Sequence, residues 1–353
     1  MAQHKLFSQH QYGFKSGRSC NSQLLDAMND WTFAVNNNQD VDIILLDFAK
    51  AFDSVSHCRL LSKLKSYGII GNTLTWIKAF LTDRKQFVQV KNSSSNLSDV
   101  LSGVPQGSVL GPTLFLIFIN DLPENVKCKV KIFADDTKIY TSVKSDEDIS
   151  KLQEDLNSLH VWSTTWGLKF NASKCTHVHV GNKFQTNTYY MKDDDGSKTN
   201  IKHSTAERDL GVIINDHLSP ENHVNEIVAK AYRTIGCIKH SFTFMNKELF
   251  IILYKSLVRP ILEYNSPVWS PSLVKHIQKI EKVQRHATKI IPALQNLSYS
   301  QRLQALGLPT LIYRRDRQDM IQVYQILSDT VNPLTHLFVT DENSRLRGHS
   351  KRL

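Results

Sequence analysis

The sequence lacks long hydrophobic runs and has few cysteines. No stretch of about 18 consecutive apolar residues occurs, so a membrane-spanning helix is not expected. The first residues, MAQHKLFSQHQYGF, contain no apolar signal core, which favours a location inside the cell, in the cytoplasm or the nucleus. The five cysteines are scattered and never form a C-x-x-C pair. This pattern argues against a zinc module and indicates a reducing compartment.

The net positive charge is concentrated toward the C-terminus. The chain has 353 residues and a formal net charge of +10. Residues 201–353 hold 21 of the 43 basic residues but only 13 of the 33 acidic residues. A basic region of this kind suits a polyanionic partner such as nucleic acid. A charge that only promotes solubility would have the same composition, and charge alone does not separate the two.

The hydrophobic pattern predicts strands and helices without a regular βαβ repeat, which is typical of an α+β fold. The apolar run VDIILL at residues 41–46 predicts a buried central strand, and KIFADDTKIY at 131–140 predicts a hairpin with an acidic turn. Further strands are predicted at 86–90, 168–170, 176–180 and 209–215, and helices within 19–37, 57–69, 107–122 and 146–167. Residues 189–200 are predicted to form a polar loop, and the chain becomes helical after about residue 217.

Three aspartates occupy unfavourable places in this pattern. Asp47 ends the central strand, and Asp135 and Asp136 stand together in the hairpin turn, although aspartate is a poor strand former. If the hairpin lies beside the central strand, three carboxylates converge at one sheet edge. Two Mg²⁺ ions about 3.5–4 Å apart would then balance their charge, as in phosphoryl-transfer enzymes. The alternative is an acidic turn that is simply solvated.

A glycine- and proline-rich loop, SGVPQGSVLGPTLF, lies between the two acidic segments. Its glycines would let a substrate approach the backbone closely, but an ordinary tight connection would have the same composition.

Five segments taken in order resemble the palm motifs of reverse transcriptases: LLDFAKAFDSV, GVPQGSVLGPTLF, FADD, WGLKFNASKC and DLGVIIN. The resemblance implies a right-hand polymerase that adds deoxynucleotides to a primer on an RNA template. It implies remnant fingers at 1–40, an α+β palm at 41–216, a helical thumb at 217–294 and a C-terminal extension at 295–353. Segments after the palm, such as LYKSLVRPILEYNSPVWSP, are similar to non-LTR (LINE-type) elements of the jockey/CR1 kind, so the resemblance covers nearly the whole chain.

The resemblance also implies catalytic residues. Asp47, Phe48 and Asp135 would hold two Mg²⁺ ions, or Mn²⁺ ions, and Asp136 would support them. Lys174 would act as a general acid toward the pyrophosphate. The implied partners are an RNA template, a DNA primer and deoxynucleoside triphosphates, without an obligate protein partner.

Substrate-binding residues follow from the same resemblance. Phe52 would exclude ribonucleotides, and Gln106 and Gly107 would shape the pocket for the nascent base pair. The chain begins almost at QYGFKSGRS, so we expect an N-terminally truncated fragment of low activity in which most of the fingers are missing. Lys15 and Arg18 are then the remaining candidates for the triphosphate grip, although they would serve equally as surface charges.

A predicted helix within residues 272–291 carries lysines on one face, at positions 275, 279, 282 and 289. These four residues, Lys275, Lys279, Lys282 and Lys289, either contact phosphates of a nucleic acid or form a solvated face.

Two other functions remain open at this point. One is a nucleic-acid-binding remnant without catalysis, and the other is a nuclease that uses the same two metal ions. Phe52 and the Gln106–Gly107 motif favour a polymerase over a nuclease.

Overall fold

A computed structural model describes residues 6–181, 187–193, 196–329 and 332–338. It divides into two compact units, the first formed by Met1–Gln23 and Trp31–Thr205 and the second by Leu24–Asp30 and Ala206–Leu353. Both contain helices and strands, which confirms the predicted α+β class.

The strands are short outside one main sheet. In chain order they are β1 (Asp40–Leu46), β2 (Lys85–Gln86), β3 (Gln89–Val90), β4 (Ser93–Ser94), β5 (Ser98–Asp99), β6 (Lys129–Phe133), β7 (Asp136–Val143), β8 (Thr176–Val180), β9 (Tyr190–Lys192), β10 (Lys198–Asn200), β11 (Lys202–His203), β12 (Ala206–Asp209) and β13 (Val212–Asn215).

The helices fall into two groups along the chain. Those that precede β12 are α1 (Cys20–Asn36), α2 (His57–Ser66), α3 (Gly71–Leu81), α4 (Leu110–Ile119) and α5 (Asp146–Trp166). Those that follow β13 are α6 (Glu221–Ser241), α7 (Lys247–Leu253), α8 (Arg259–Glu263), α9 (Ser266–Trp269), α10 (Val274–Ala287), α11 (Tyr299–Leu306) and α12 (Leu311–Ser328), with a π-helical turn at Tyr254–Val258.

The first unit is organised around a five-stranded sheet with the order β11-β8-β1-β7-β6. Its neighbours are antiparallel except β11 and β8. Strand β1 lies in the centre and is almost entirely buried, as its continuous apolar run predicts. Helix α4 is apolar along most of its length and packs into the same core as Ile44 and Ile132. Its burial explains why this helix shows no polar face.

Helix α5 begins and ends where its sequence provides the usual signals. Ser145 and Asp148 form a capping box at its N-terminus. The acidic residues in the first turn interact favourably with the positive end of the helix dipole and so stabilise the helix. Gly167 follows the last turn in the left-handed conformation, as the sequence predicts for a helix that stops there.

Four predictions of local structure are corrected. The predicted strand at 86–90 is divided between β2 and β3, with residues 87 and 88 outside both. Residues 168–170 form a single bridge, from Phe170 to Phe48, instead of a strand. Residues 209–215 form two strands, β12 and β13, because Leu210 and Gly211 adopt positive φ angles and turn the chain back. The predicted polar loop at 189–200 contains the β9–β10 hairpin, whose residues 194 and 195 lie outside the described part.

The second unit is mainly helical, as expected for the chain after residue 217. Helix α6 buries an apolar stripe, whose members are Val224, Ile227, Val228, Ala231, Ile235 and Ile238. The Glu281 carboxylate is also buried and accepts hydrogen bonds from the backbone N–H groups of Leu311 and Ile312, at the start of α12. Within the described residues, no helix is long and apolar enough to cross a membrane.

Strand β1 also carries a buried acidic residue, Asp42, near its beginning. His179 Nδ1 lies 2.7 Å and His177 Nε2 3.0 Å from its Oδ1 atom, and Asn187 and Tyr189 each donate to Oδ2 at 2.6 Å. Burial opposes ionisation, but these donors outweigh it and hold the pKa of Asp42 well below its usual range.

The substitution Asp42→Asn is expected to lower the free energy of unfolding at pH 7 by about 3–5 kcal/mol, because it removes a buried charge whose donors remain. The folded-state pKa lies below the unfolded value, so this stabilisation is present above about pH 4 and is lost as the pH falls further. Urea unfolding of parent and variant should therefore give curves that differ most at pH 7 and whose separation shrinks progressively as the pH falls below about 4. The exposed Asp99→Asn is the control, and equal stabilities at pH 7 would contradict the prediction.

Candidate active site

The end of β1 lies beside the turn of the β6–β7 hairpin. Strands β1 and β7 pair in register up to Leu46 and Thr137, so Asp47 follows directly at the same edge. In the hairpin, Phe133 pairs with Asp136, which leaves Ala134 and Asp135 as a two-residue turn. The sequence-based expectation that the hairpin lies beside the central strand is confirmed.

The Asp47 and Asp135 carboxylates interact through their charges. Burial raises the pKa of Asp135, and the nearby Asp47 carboxylate raises it further. The Oδ2 atom of Asp47 is buried, and no described group donates a hydrogen bond to it. Lys174 Nζ is the nearest cation, 3.5 Å from that oxygen. The Asp135 carboxylate, whose pKa is raised, and the Asp47 carboxylate, which has an unused buried oxygen, fit the ligand set of a hard divalent cation such as Mg²⁺.

The structure does not gather all three aspartates. Among the described residues, no three His, Cys, Asp or Glu side chains form a group that could hold a metal ion. Asp136 is exposed and begins β7, where successive side chains point to opposite faces of the sheet. The charge interaction therefore involves the pair Asp47 and Asp135, and the supporting role of Asp136 stays a prediction.

Backbone hydrogen bonds fix the segment that follows β1. The carbonyl of Asp47 accepts from Asn171 N–H, and Ala49 N–H donates to the carbonyl of Lys169, both at 2.8 Å. Between these bonds, the ring of Phe48 stacks on Phe170 at 4.3 Å. A turn then returns the chain from Asn171, so that Lys174 reaches Asp47. The predicted general acid and a predicted metal ligand are thus brought together.

Backbone hydrogen bonds join the glycine-rich loop to residues 52–55. Val104 N–H donates to the carbonyl of Phe52 at 2.9 Å, and Gly103 N–H donates to that of Val55 at 2.8 Å. Gly103 has a φ of +91°, and a Cβ there would lie 2.9 Å from the Cα of Asp53. Only glycine fits this close approach.

Two predicted substrate-binding side chains are held by neighbours of this loop. The ring of Phe52 stacks on Phe115 of the buried α4, with centroids 4.3 Å apart. Gln106 Nε2 donates to Asp53 Oδ1 at 3.0 Å. The packing limits the freedom of Phe52, which a steric gate requires. The substrate contacts of these residues and of Gly107 stay predictions.

The side chains of Lys15 and Arg18 donate hydrogen bonds to backbone carbonyls of the N-terminal segment. Lys15 Nζ donates to the carbonyl of Ser8 at 3.0 Å, and burial together with Arg18 lowers its pKa. Arg18 donates to the carbonyl of Gln9, and its guanidinium lies 4.6 Å from the centre of the Tyr12 ring. Their contact with a triphosphate stays a prediction.

Sequence reasoning missed one buried polar residue at this site. Gln11 contacts the turn that carries Asp135, through the backbone of Ala134. The sequence signal is only a polar residue two positions before Gly13, which is too common a pattern to indicate a role.

The four predicted nucleic-acid-binding lysines lie on α10 and the turn after it, and all are exposed. Lys275 Nζ lies 3.7 Å from Glu221, and Lys279 donates to a side chain of the same helix, α6. Lys282 and Lys289 have no side-chain partner within the described residues, so their charges are the more available ones.

Comparison with known proteins defines the class to which this geometry belongs. A family model described as "Reverse transcriptase (RNA-dependent DNA polymerase)" matches residues 1–214. The chain belongs to this reverse transcriptase family.

Its similar relatives come from mobile elements, as the motifs indicated. The RNA-directed DNA polymerase from mobile element jockey of Drosophila melanogaster is 30% identical over 79% of this chain and 31% of that protein. The probable RNA-directed DNA polymerase from transposon X-element of the same species is 26% identical over 80% of this chain and 32% of that protein. The chain therefore spans about a third of the length of these curated relatives.

Solved structures show a weaker similarity. A telomerase from Candida tropicalis, solved with a fragment of telomeric RNA, matches 90% of this chain and 47% of that chain, with 13% identity and a TM-score of 0.45.

Gly103→Ala is expected to destabilise the first unit more than Gly107→Ala. Both glycines have positive φ angles, so each alanine introduces backbone strain of roughly 1–3 kcal/mol. At Gly103 the added methyl group also overlaps the backbone of Asp53, whereas at Gly107 it enters open space. Urea unfolding of both variants measures the difference, and equal losses would contradict the close approach.

Proposed function

We propose that this chain provides the catalytic core of an RNA-directed DNA polymerase. Together with membership of the reverse transcriptase family, one observation carries the proposal: a strand end and a hairpin turn bring the Asp47 and Asp135 carboxylates together, and burial and the Asp47 charge raise the pKa of Asp135. The reaction is addition of a deoxynucleotide to a primer 3′-hydroxyl, copied from an RNA template.

Asp47 and Asp135, with Phe48 beside them, would hold the metal ions, two Mg²⁺ or, as a substitute, Mn²⁺. When bound there, these ions would supply charge stabilisation for the attacking and leaving oxygens of the phosphoryl transfer. Lys174 balances Asp47 at 3.5 Å before the ions bind and donates a proton to the departing pyrophosphate afterwards. Asp136 supports the site from the adjacent position.

The remaining residues select and align the nucleotide. Phe52, backed by Phe115, lies against the sugar and excludes a 2′-hydroxyl by its bulk. Gln106 and Gly107 line the pocket of the new base pair. Lys15 and Arg18 contribute positive charge toward the triphosphate. Each assignment follows the family resemblance of its segment, and the packing of Phe52 supports the steric gate.

The domain limits belong to the same proposal. Residues 1–40 correspond to fingers, 41–216 to the palm, 217–294 to the thumb and 295–353 to an extension. The protein acts inside the cell, where template RNA and deoxynucleotides are present. A silent nucleic-acid-binding remnant and a two-metal nuclease are the rival functions, and the primer-extension assay below distinguishes them from a polymerase.

The substitution Asp135→Asn should lower the polymerase activity but raise the stability of the metal-free protein. Loss of one metal ligand should reduce primer extension by on the order of 10³-fold or more. In EDTA, however, the variant should be more stable than the parent, because burial and Asp47 both oppose the charge that it removes. Homopolymer-templated primer extension and urea unfolding measure the two effects, with the exposed Asp99→Asn as control.

Near-parental extension by the Asn variant would reject the metal site. A parent that binds a primer–template without extending it would favour the silent remnant. Degradation of the primer in the absence of synthesis would favour the nuclease.

The exposed lysines near α10 should contact phosphates without reading sequence. Replacing Lys282 and Lys289 by alanine should lower the salt slope of binding, the change in log K with log salt, by about two. The matched double variant at Lys275 and Lys279 should lower it less, because these side chains already contact α6. Fluorescence anisotropy with an RNA–DNA duplex at several salt concentrations measures the slopes. Unchanged slopes in both double variants would show a solvated face.

A further inference from the structure

The buried Gln11 side chain joins the N-terminal segment to the turn that carries Asp135. It is 3% exposed, and its Oε1 atom accepts hydrogen bonds from Gly13 N–H at 2.7 Å and from Ala134 N–H at 2.9 Å. Its Nε2 atom also faces the carbonyl of Ala134, at 3.5 Å. One amide therefore contacts both backbone polar groups of the residue that precedes Asp135.

This turn is conformationally unfavourable. Ala134 has a φ of +55°, in the left-handed region that costs a non-glycine residue roughly 1–2 kcal/mol. A two-residue hairpin turn with a positive φ at its first position usually has glycine there. Ala134 is also buried, so its N–H and carbonyl need partners within the protein. The strain is retained because the surroundings, Gln11 foremost, fix the turn.

The N-terminal segment fits closely against β6 on the way to this contact. Ile132 N–H donates to the carbonyl of His10 at 2.9 Å, and Tyr12 N–H donates to the carbonyl of Ile132 at 2.8 Å. A Cβ on Gly13 would lie 2.4 Å from the nitrogen of Ala134, so only glycine permits this approach. These backbone contacts therefore fix the position of the Gln11 side-chain amide next to the turn.

We propose that Gln11 is a positioning residue for the metal ligand Asp135. This inference rests on the proposed function, in which Asp135 holds a divalent ion next to Asp47. When the Gln11 amide is removed, the Ala134 N–H loses its acceptor and the left-handed turn can relax toward a less strained geometry. The Asp135 carboxylate then shifts relative to Asp47, and the divalent ion binds more weakly.

A second glutamine in the same unit provides a matched control. Gln153 of α5 holds the backbone of Tyr190 in the same bidentate way: Oε1 accepts from Tyr190 N–H at 3.0 Å, and Nε2 donates to its carbonyl at 2.9 Å. Its contact fixes strand β9 and not the turn with Asp135. Loss of either side-chain amide removes comparable hydrogen bonds, but only the Gln11 amide contacts the turn that carries a proposed metal ligand.

The experiment compares Gln11→Met with Gln153→Met in the full chain, since methionine keeps the length of glutamine without its polar atoms. Both variants should lose similar stability in urea. Mn²⁺ affinity, measured by electron paramagnetic resonance, should fall about 10–100-fold in Gln11→Met alone, as for other groups that orient metal ligands. In primer extension, the half-saturating Mg²⁺ concentration should rise by a similar factor. Amide hydrogen exchange in the peptide over residues 130–140 should be faster in Gln11→Met than in the parent and in Gln153→Met, because the Ala134 N–H loses its acceptor.

Mn²⁺ affinity equal in the two methionine variants would overturn the positioning role and leave Gln11 as a structural contact. Unchanged amide exchange in Gln11→Met would overturn it as well, even if the parent chain extended no primer. A parent that binds Mn²⁺ but does not polymerise would reject the proposed function while the comparison of affinities still decides the role of Gln11. A parent that binds no Mn²⁺ would overturn both.

Discussion

The register between β1 and β7 is the constraint on which the candidate site depends. It aligns Ile44 with Ile139 and ends with Leu46 opposite Thr137, so Asp47 meets the hairpin turn. A shift by one residue would exchange the two faces of β1 and remove Asp42 from the donors His177, His179 and Tyr189. The same register that satisfies the Asp42 charge therefore brings Asp47 and Asp135 together.

Separate backbone segments hold this edge of the sheet. Residues 169–171 pair with 47–49, and residues 10–13 follow β6 toward the hairpin turn. The glycine-rich loop is bonded to residues 52–55 in the same way. These contacts use backbone groups and close approaches at glycine, which leave the side chains of Asp47 and Asp135 available for a ligand. A rigid frame around an unfavourable pair of charges is a common arrangement at functional sites.

The central strand, the acidic hairpin, α4 and α5 could be predicted because each has a strong periodic or apolar pattern and clear end signals. The β9–β10 hairpin could not, since its polar residues resemble a loop. The sequence predicted one strand in place of the β12–β13 hairpin, because Leu210 takes a positive φ without being glycine. Helix α3, Gly71–Leu81, was also absent from the prediction. At the site, the motifs indicated Asp47 and Asp135. The hydrogen bonds of Gln11 join residues more than a hundred positions apart, which a single sequence does not reveal.

Aspartate has opposite roles at the two ends of strand β1. Near its beginning, Asp42 is surrounded by donors that lower its pKa, so its charge is satisfied within the protein and the group is structural. Beside its end, Asp135 has a raised pKa because burial and Asp47 oppose its charge. Satisfied and unsatisfied carboxylates of this kind can be separated by the direction of their pKa shifts. An added cation would stabilise the charged form of Asp135, whereas Asp42 already has donors within the protein, and this difference supports the proposal of a metal site at the end of the strand that faces the hairpin turn.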